Sequence, residues 1–194
     1  MPPKVRFQRQ NIVDAAFELA RNHGLEAINA RSVASEIGCS TQPIFRVFEN
    51  MDQLKACVLE KAEQHFDAYI NNSKSTSESA FKSVGMAYLL FAMNEPHLFQ
   101  MVFLRCCENT AAKKKYGCSD HVIDALVEKS GFDREQAQII HRHMWIYTYG
   151  LAALLMTGQL RYDKAELSNM IDMEYRAIVS SLLWKDAEQI SVPI

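Results

Sequence analysis

Residues 41–47 carry polar side chains at a spacing that would place several of them on one side of a short helix. Gln42 and Arg46 lie four residues apart, and side chains at that spacing are neighbours on a helix surface. Glutamine pairs with adenine and arginine with guanine, while Thr41 and Pro43 can contact a thymine methyl group. The pattern therefore indicates chemistry suited to the major groove of DNA. On spacing alone, the same residues also fit the solvent-facing side of an ordinary helical bundle.

Two short helices separated by a tight turn are predicted to hold these side chains. Asn29 is a favourable N-cap for the first helix, and Gly38 ends it. Ser40 is predicted to cap the second helix, and Pro43 falls in its first turn, where a missing N–H costs nothing. The apolar residues predicted to point inward are Val33, Ala34 and Ile37 in the first helix and Ile44, Phe45 and Phe48 in the second. Two short helices joined by a glycine-containing turn form the helix-turn-helix pattern.

The remainder of the chain is predicted to be helical as well. Only 7 glycines and 5 prolines occur in 194 residues, and no strand-like alternation is present. Further helices are predicted at about 12–23, 50–70, 78–94 and 120–129, from Pro96, and from the capping residues Asp133 and Asp163. We therefore predict an all-α fold of about nine helices. It would contain a three-helix DNA-binding domain over residues 1–50 and a helical bundle over residues 51–194.

Composition argues against a secreted or membrane-bound protein. Five cysteines without a C-x-x-C pair do not fit a disulfide-rich secreted scaffold. The longest apolar run, 144–156, is too short to cross a membrane, and no apolar stretch follows the basic N-terminal residues as a signal peptide requires. A formal net charge of −2 means that DNA would have to be bound by a local cationic face rather than by the overall field. The expected location is the cytoplasm.

Enzymatic chemistry has little support in the sequence. His141 and His143 would point to different faces of a helix, so they make a poor metal pair. No phosphate-binding glycine loop, nucleophile elbow or H-E-x-x-H motif occurs, and we expect no catalytic role, cofactor or metal. Cys106, Cys107 and Cys118 lie near a lysine-rich stretch. Because nearby lysines favour the reactive thiolate, a thiol-based redox-sensing regulator is one alternative.

The stretch from about Arg9 to Cys57 resembles the N-terminal DNA-binding region of TetR (tetracycline repressor) family regulators. The positions that carry this resemblance are Ile12, Ala15, Ala16, Gly24, Asn29, Val33, Ala34, Gly38, Cys39, Ser40, Ile44, Phe45, Phe48 and Leu54. The resemblance implies a homodimeric repressor that binds operator DNA and is released by a small ligand. Phe45 stands where the family usually has tyrosine and Met51 where it usually has lysine, and both changes lower the expected anchoring to phosphate.

The resemblance also implies roles for individual residues. The residues that would read bases are Thr41, Gln42, Pro43 and Arg46, and those that would position the DNA backbone are Arg31, Ser40 and Lys55. Phe45 belongs to the same predicted DNA-binding set. Lys4, Arg6 and Arg9 are interpreted as an arm that reaches the duplex.

The second predicted domain would provide the dimer contact and the ligand pocket. The last two helices have apolar residues on more than one side, which suits dimerisation through them, as the resemblance implies. A small apolar or aromatic inducer would bind a pocket lined by Phe91, Phe99, Met101, Phe103, Met144, Trp145 and Tyr149. Such residues also fit a plain hydrophobic core. A helical adaptor without specific DNA binding is the further alternative.

Overall fold

The computed structural model describes residues 8–73, 80–104 and 120–190 of the 194-residue chain. These residues form nine α-helices and no strand, which confirms the predicted all-α fold. The helices are α1 (Arg9–His23), α2 (Ala30–Glu36), α3 (Gln42–Val47), α4 (Met51–Asn72), α5 (Ala80–Asn94), α6 (Pro96–Phe99), α7 (Asp120–Ser130), α8 (Arg134–Met156) and α9 (Lys164–Ile190). A 3₁₀ turn at Leu25–Ala27 precedes α2, and a π-helical turn at Gln100–Leu104 continues α6. None of the described helices is long and apolar enough to span a lipid bilayer.

The chain divides into two compact units, and neither is continuous in sequence. The first unit contains the described residues up to Ala68 together with the segment that begins at Glu95. The second contains Tyr69–Asn94 and the described residues from Asp120 onward. The boundary at Ala68 falls inside α4, so the first unit extends beyond the predicted domain boundary at residue 50. A functional division at that residue stays a prediction.

Local capping explains where the helix-turn-helix begins and turns. Oδ1 of Asn29 accepts hydrogen bonds from the backbone N–H groups of Arg31 (3.1 Å) and Ser32 (3.0 Å), and the Ser32 hydroxyl accepts one from the Asn29 N–H (3.2 Å). These bonds satisfy donors that the first turn of α2 leaves open. Gly38 follows α2 with a φ of 67°, a conformation that strains a residue with a Cβ atom. The predicted N-cap and the predicted turn are both confirmed.

The first unit has a core that joins α1, α4 and α6. The buried apolar residues of α1 recur at helical spacing, as the sequence indicates, and α4 contributes a stripe at intervals of four residues. They are Ile12, Val13, Ala16, Phe17 and Ala20 in α1, and Leu54, Val58, Ala62 and Phe66 in α4. Leu98 and Phe99 of α6 are also fully buried. Because α6 supplies part of this core, the first unit is completed by a segment distant in sequence from its helix-turn-helix.

The second unit is a helical bundle in which α8 packs against α5, α7 and α9. Asp133 caps α8 by accepting a hydrogen bond from the Gln136 backbone N–H (2.8 Å). Asp163 caps α9 by accepting one from the Glu166 backbone N–H (2.9 Å). Both predicted capping boxes are confirmed. A Cβ atom added to Gly85 of α5 would lie 3.5 Å from the Ile171 side chain, so α5 and α9 approach closely there.

Candidate functional site

The second helix of the helix-turn-helix, α3, buries one narrow stripe of its surface. Ile44 is 0% and Phe48 1% exposed, because residues four apart lie one above the other on a helix. Phe45 is 52% exposed, so the prediction that it points inward is wrong. Each residue turns about 100° around the helix axis, which carries Phe45 away from the stripe that Ile44 and Phe48 share. The N-cap is Thr41 rather than the predicted Ser40, and its side chain makes no capping hydrogen bond.

The side chains predicted to read bases lie together on α3 and at its start. Gln42 and Arg46 are exposed, and neither makes a hydrogen bond or an ion pair with any described residue. Thr41 and Pro43 beside them are partly buried. Since no hydrogen bond or ion pair with a described residue holds the Gln42 amide or the Arg46 guanidinium, both groups can turn toward a ligand without leaving a partner unsatisfied. The helix therefore presents a donor–acceptor pair and a cation side by side.

The residues predicted to position a DNA backbone lie on elements around this helix. Arg31 in α2 and Ser40 before α3 are exposed, and Lys55 in α4 is partly buried. Neither Arg31 nor Lys55 pairs with a carboxylate among the described residues. No described carboxylate therefore forms an ion pair with either cation, and their roles toward phosphate stay predictions.

Arg9 lies within the folded helices rather than in an arm. It is the first residue of α1, its guanidinium lies 4.9 Å from the centre of the Phe48 ring, and one of its N–H groups donates to Sγ of Cys57 (2.9 Å). A cation over an aromatic face is attracted to it. Arg9 thus holds the end of α3 against α1 and α4, and its assignment to an arm is wrong. Lys4 and Arg6 lie outside the described residues.

A second polar contact joins α1 to α4. The Lys61 ammonium lies 2.5 Å from Oδ1 of Asp14 and 4.6 Å from the centre of the Phe17 ring. The hydrogen bond from Lys61 holds the pKa of Asp14 below its ordinary value, with a further contribution from the Gln10 amide. Because Lys61 lies four residues after Cys57, one turn of α4 separates the two contacts. The α1–α4 contact is therefore fixed at two successive positions.

A buried carboxylate ties the start of α6 to the same pair of helices. Glu95 is only 8% exposed and accepts two hydrogen bonds from the Arg21 guanidinium, one of them from Nε at 2.8 Å. Nε2 of His65 lies 3.8 Å from the same carboxylate. The hydrogen bonds with Glu95 raise the pKa of Arg21. The sequence does not predict the contact between Arg21 and Glu95, because 74 positions separate the two residues along the chain.

The residues predicted to line a ligand pocket are divided between the two units. Phe99, Met101 and Phe103 belong to the first unit, where the Phe103 ring centre lies 4.9 Å from those of both Phe99 and Phe66. The others, Phe91, Met144, Trp145 and Tyr149, belong to the second unit. Trp145 and Tyr149 have ring centres 5.7 Å apart, whereas Phe91 and Met144 are buried in the core. The predicted residues therefore do not all belong to one unit, and their role in a ligand pocket stays a prediction.

The interior of the second unit contains polar groups but no buried charge among its described residues. Ser83, His141 and Thr148 are the buried polar side chains, and the mostly apolar Tyr88 is buried as well. Burial lowers the pKa of His141, which keeps its imidazole neutral. Burial also raises the pKa of Tyr88, with Tyr149 adding to the effect, so that hydroxyl stays protonated. This interior is therefore suited to uncharged chemical groups.

The last two helices expose large apolar side chains. Ile146 and Leu154 of α8 are 58% and 39% exposed, and Met173 and Leu183 of α9 are 72% and 57% exposed. Gly150 lies between the first two and has open space where a Cβ atom would be. A helix that needs only an intramolecular core has one apolar stripe, whereas α8 and α9 each carry a buried stripe and exposed apolar residues. The predicted excess of apolar surface on these helices is confirmed.

The structure describes two of the five cysteines. Cys39 and Cys57 are free thiols and are partly buried. Cys106, Cys107 and Cys118, on which the redox-sensing alternative depends, lie outside the described residues. No cluster of three or more potential metal ligands occurs in the part of the chain that the structure describes.

Comparison with known proteins adds a family match and similar folds. Residues 81–178, half of the chain, match the family described as the tetracyclin repressor-like, C-terminal domain. A transcriptional regulator from Rhodococcus sp. Rha1 shares 16% identity, with 90% of this chain and 97% of that chain covered and a TM-score of 0.63. A TetR-like transcriptional regulator from Rhodococcus sp. RHA1 shares 12%, with 93% and 98% covered and a TM-score of 0.65.

A third solved structure with a similar fold is the multidrug binding protein EbrR complexed with imidazole. It shares 16% identity, with 86% of this chain and 88% of that chain covered and a TM-score of 0.59. At these identities the structural likeness shows a common fold. A comparison with curated protein sequences gave no match.

Proposed function

The chain belongs to the TetR family of transcriptional regulators, and we propose that it represses transcription by binding operator DNA as a homodimer until a small inducer releases it. The observation that carries this proposal is the outer face of α3, where Gln42 and Arg46 are exposed and engaged by no described residue. Glutamine and arginine are the side chains that pair with adenine and guanine edges in the major groove. The proposed role is binding rather than catalysis, and the proposed location is the cytoplasm.

A second copy of the chain is the proposed occupant of the exposed apolar face on α8 and α9. Ile146 and Met173 would be removed from water in such a dimer, which stabilises association. A two-fold dimer presents the same helix twice, so its operator is a pseudo-palindrome. The two copies of α3 must then lie roughly 34–36 Å apart to enter successive major grooves.

The inducer is proposed to be a small, uncharged apolar or aromatic molecule that binds in the second unit. Support comes from the interior of that unit, where burial lowers the pKa of His141 and raises the pKa of Tyr88, so that both side chains favour their uncharged forms. EbrR, which shares the fold, is described as a multidrug binding protein. Of the predicted lining residues, Phe91, Met144, Trp145 and Tyr149 would contact the inducer from this unit. Release requires that the inducer bind more tightly to the conformation that cannot reach two successive grooves, since equal affinity would shift nothing.

The test is selection of bound sequences from a random duplex library by the full-length protein, followed by titration of the enriched duplex against salt. We expect an inverted repeat. Gln42→Ala and Arg46→Ala should each weaken binding by about 1–3 kcal/mol per half-site and relax the preference at one base position. Arg161→Ala, which removes an exposed arginine after α8, is the matched control and should bind as the wild type does.

Salt dependence separates the two kinds of proposed contact. Arg31→Ala should reduce the slope of log affinity against log salt by about 1 per half-site, or about 2 for the dimer, while leaving the preferred sequence unchanged, because a phosphate contact carries no sequence information. A folded, dimeric protein that enriches no duplex would refute the proposed function. The helical adaptor would then be the better explanation.

A further inference from the structure

Phe45 is an aromatic side chain exposed beside the proposed reading face. Six large apolar side chains are exposed among the described residues, and Phe45 is the one that lies in the first unit. The exposed Gln42 lies three residues before it and the exposed Arg46 directly after it. The ring makes no ring contact with any described residue. A single exposed apolar residue is ordinary on a protein surface, so its position on α3 is what gives it meaning.

The chemistry of phenylalanine restricts what this ring can meet on DNA. It has no hydrogen-bonding group, so it cannot donate to a phosphate oxygen or pair with the polar edge of a base. In the major groove the apolar group on a base edge is the 5-methyl of thymine, and phenylalanine is one of the side chains that contacts it. Covering that methyl would remove apolar area of both partners from water, which stabilises the complex.

We propose that Phe45 is a specificity-determining residue that contacts the 5-methyl group of a thymine in each half of the operator. This inference rests on the proposed function and adds the base that one side chain recognises. It also assigns Phe45 a role that differs from phosphate anchoring: the residue selects sequence and contributes nothing to the salt dependence of binding.

Replacement of thymine by uracil tests the contact, because uracil keeps every hydrogen bond of thymine and lacks only the methyl group. With the operator from the library selection, each thymine is changed to uracil symmetrically in both half-sites. For the wild type, replacement of one symmetric pair of thymines should weaken binding by about fourfold per methyl group, or about 15-fold for the two together. Phe45→Ala should bind the thymine and uracil duplexes equally, whereas Phe45→Tyr keeps the ring and should keep the difference.

Arg46→Ala is the matched comparison on the same helix. It should weaken binding to both duplexes by the same factor, so the thymine–uracil ratio stays at its wild-type value. Phe45→Ala should still unfold in one cooperative thermal transition, because about half of the side chain it loses is exposed and the buried Ile44 and Phe48 are kept.

Two results would overturn the inference without touching the proposed function. One is an enriched operator on which no uracil replacement weakens the wild type. The other is an uracil effect that persists at full size in Phe45→Ala. A selection that enriches no duplex at all would instead overturn the proposed function, and this inference with it.

Discussion

Met173→Lys is expected to dissociate the proposed dimer. Among the described residues Met173 is the most exposed large apolar side chain, at 72%, and it lies within α9. Full burial of a methionine side chain contributes about 1.5–3 kcal/mol, so burying this exposed part contributes about 1–2 kcal/mol per protomer. Two-fold symmetry doubles this to about 2–4 kcal/mol per dimer. The dimer Kd should therefore rise at least about 30-fold, before the cost of placing two ammonium groups in an apolar contact.

Sedimentation over a series of protein concentrations measures this change directly. Met93→Lys is the matched control, since Met93 is also an exposed methionine, at 38%, but lies on α5. We expect Met173→Lys to shift the monomer–dimer midpoint and Met93→Lys to leave it in place. Equal values of Kd for the two variants would refute the assignment of the dimer contact to α8 and α9. A monomeric wild type at micromolar concentration would refute it as well.

Two further predictions concern stability. Arg21→Met should lower the free energy of unfolding in urea by about 2 kcal/mol, since it removes the partly exposed guanidinium that pairs with the buried Glu95 carboxylate. Arg134→Met, which removes two exposed ion pairs, with Asp120 and Asp124, should cost less than about 1 kcal/mol. A similar cost for both would contradict the role given to Glu95. Because burial lowers the pKa of His141 from 6.5, the folded state binds that proton less readily than the unfolded state, and stability should fall as pH drops below about 6.5 toward the lowered pKa. In urea titrations at several pH values His141→Leu should lose this component and the exposed His143→Leu should retain it, so an unchanged slope in His141→Leu would argue against it.

The features that the sequence predicts correctly are those encoded by neighbouring residues. Asn29 and Asp133 cap their helices because the hydrogen bonds involved reach only two or three residues along the chain. Gly38 ends α2 because only glycine adopts its backbone conformation without strain. Such signals are local, so they can be read without knowledge of tertiary packing.

The features that the sequence does not predict depend on packing between distant segments. α3 has six residues, too few for apolar periodicity to separate the buried Ile44 from the exposed Phe45 next to it. Phe99 and Phe103 are as aromatic as Tyr149, and composition alone does not reveal that the first two pack in a different unit. The burial of Glu95 likewise depends on Arg21, which lies far away in sequence.

The discontinuous first unit restricts how regulators of this kind can be recombined. A chimera cut after residue 50 would carry the helix-turn-helix but leave Leu54, Val58 and Phe66 to a foreign sequence, although all three belong to its core. Exchange of the whole unit would require three crossovers, one within α4 and one on each side of the segment that begins at Glu95, the partner of Arg21. Under the proposed function, a change of DNA specificity requires only substitutions on the surface of α3, whereas an exchange of domains requires all of these crossovers. Related regulators could then recognise new operators through changes at a few exposed positions of α3, while the rest of the first unit stays the same.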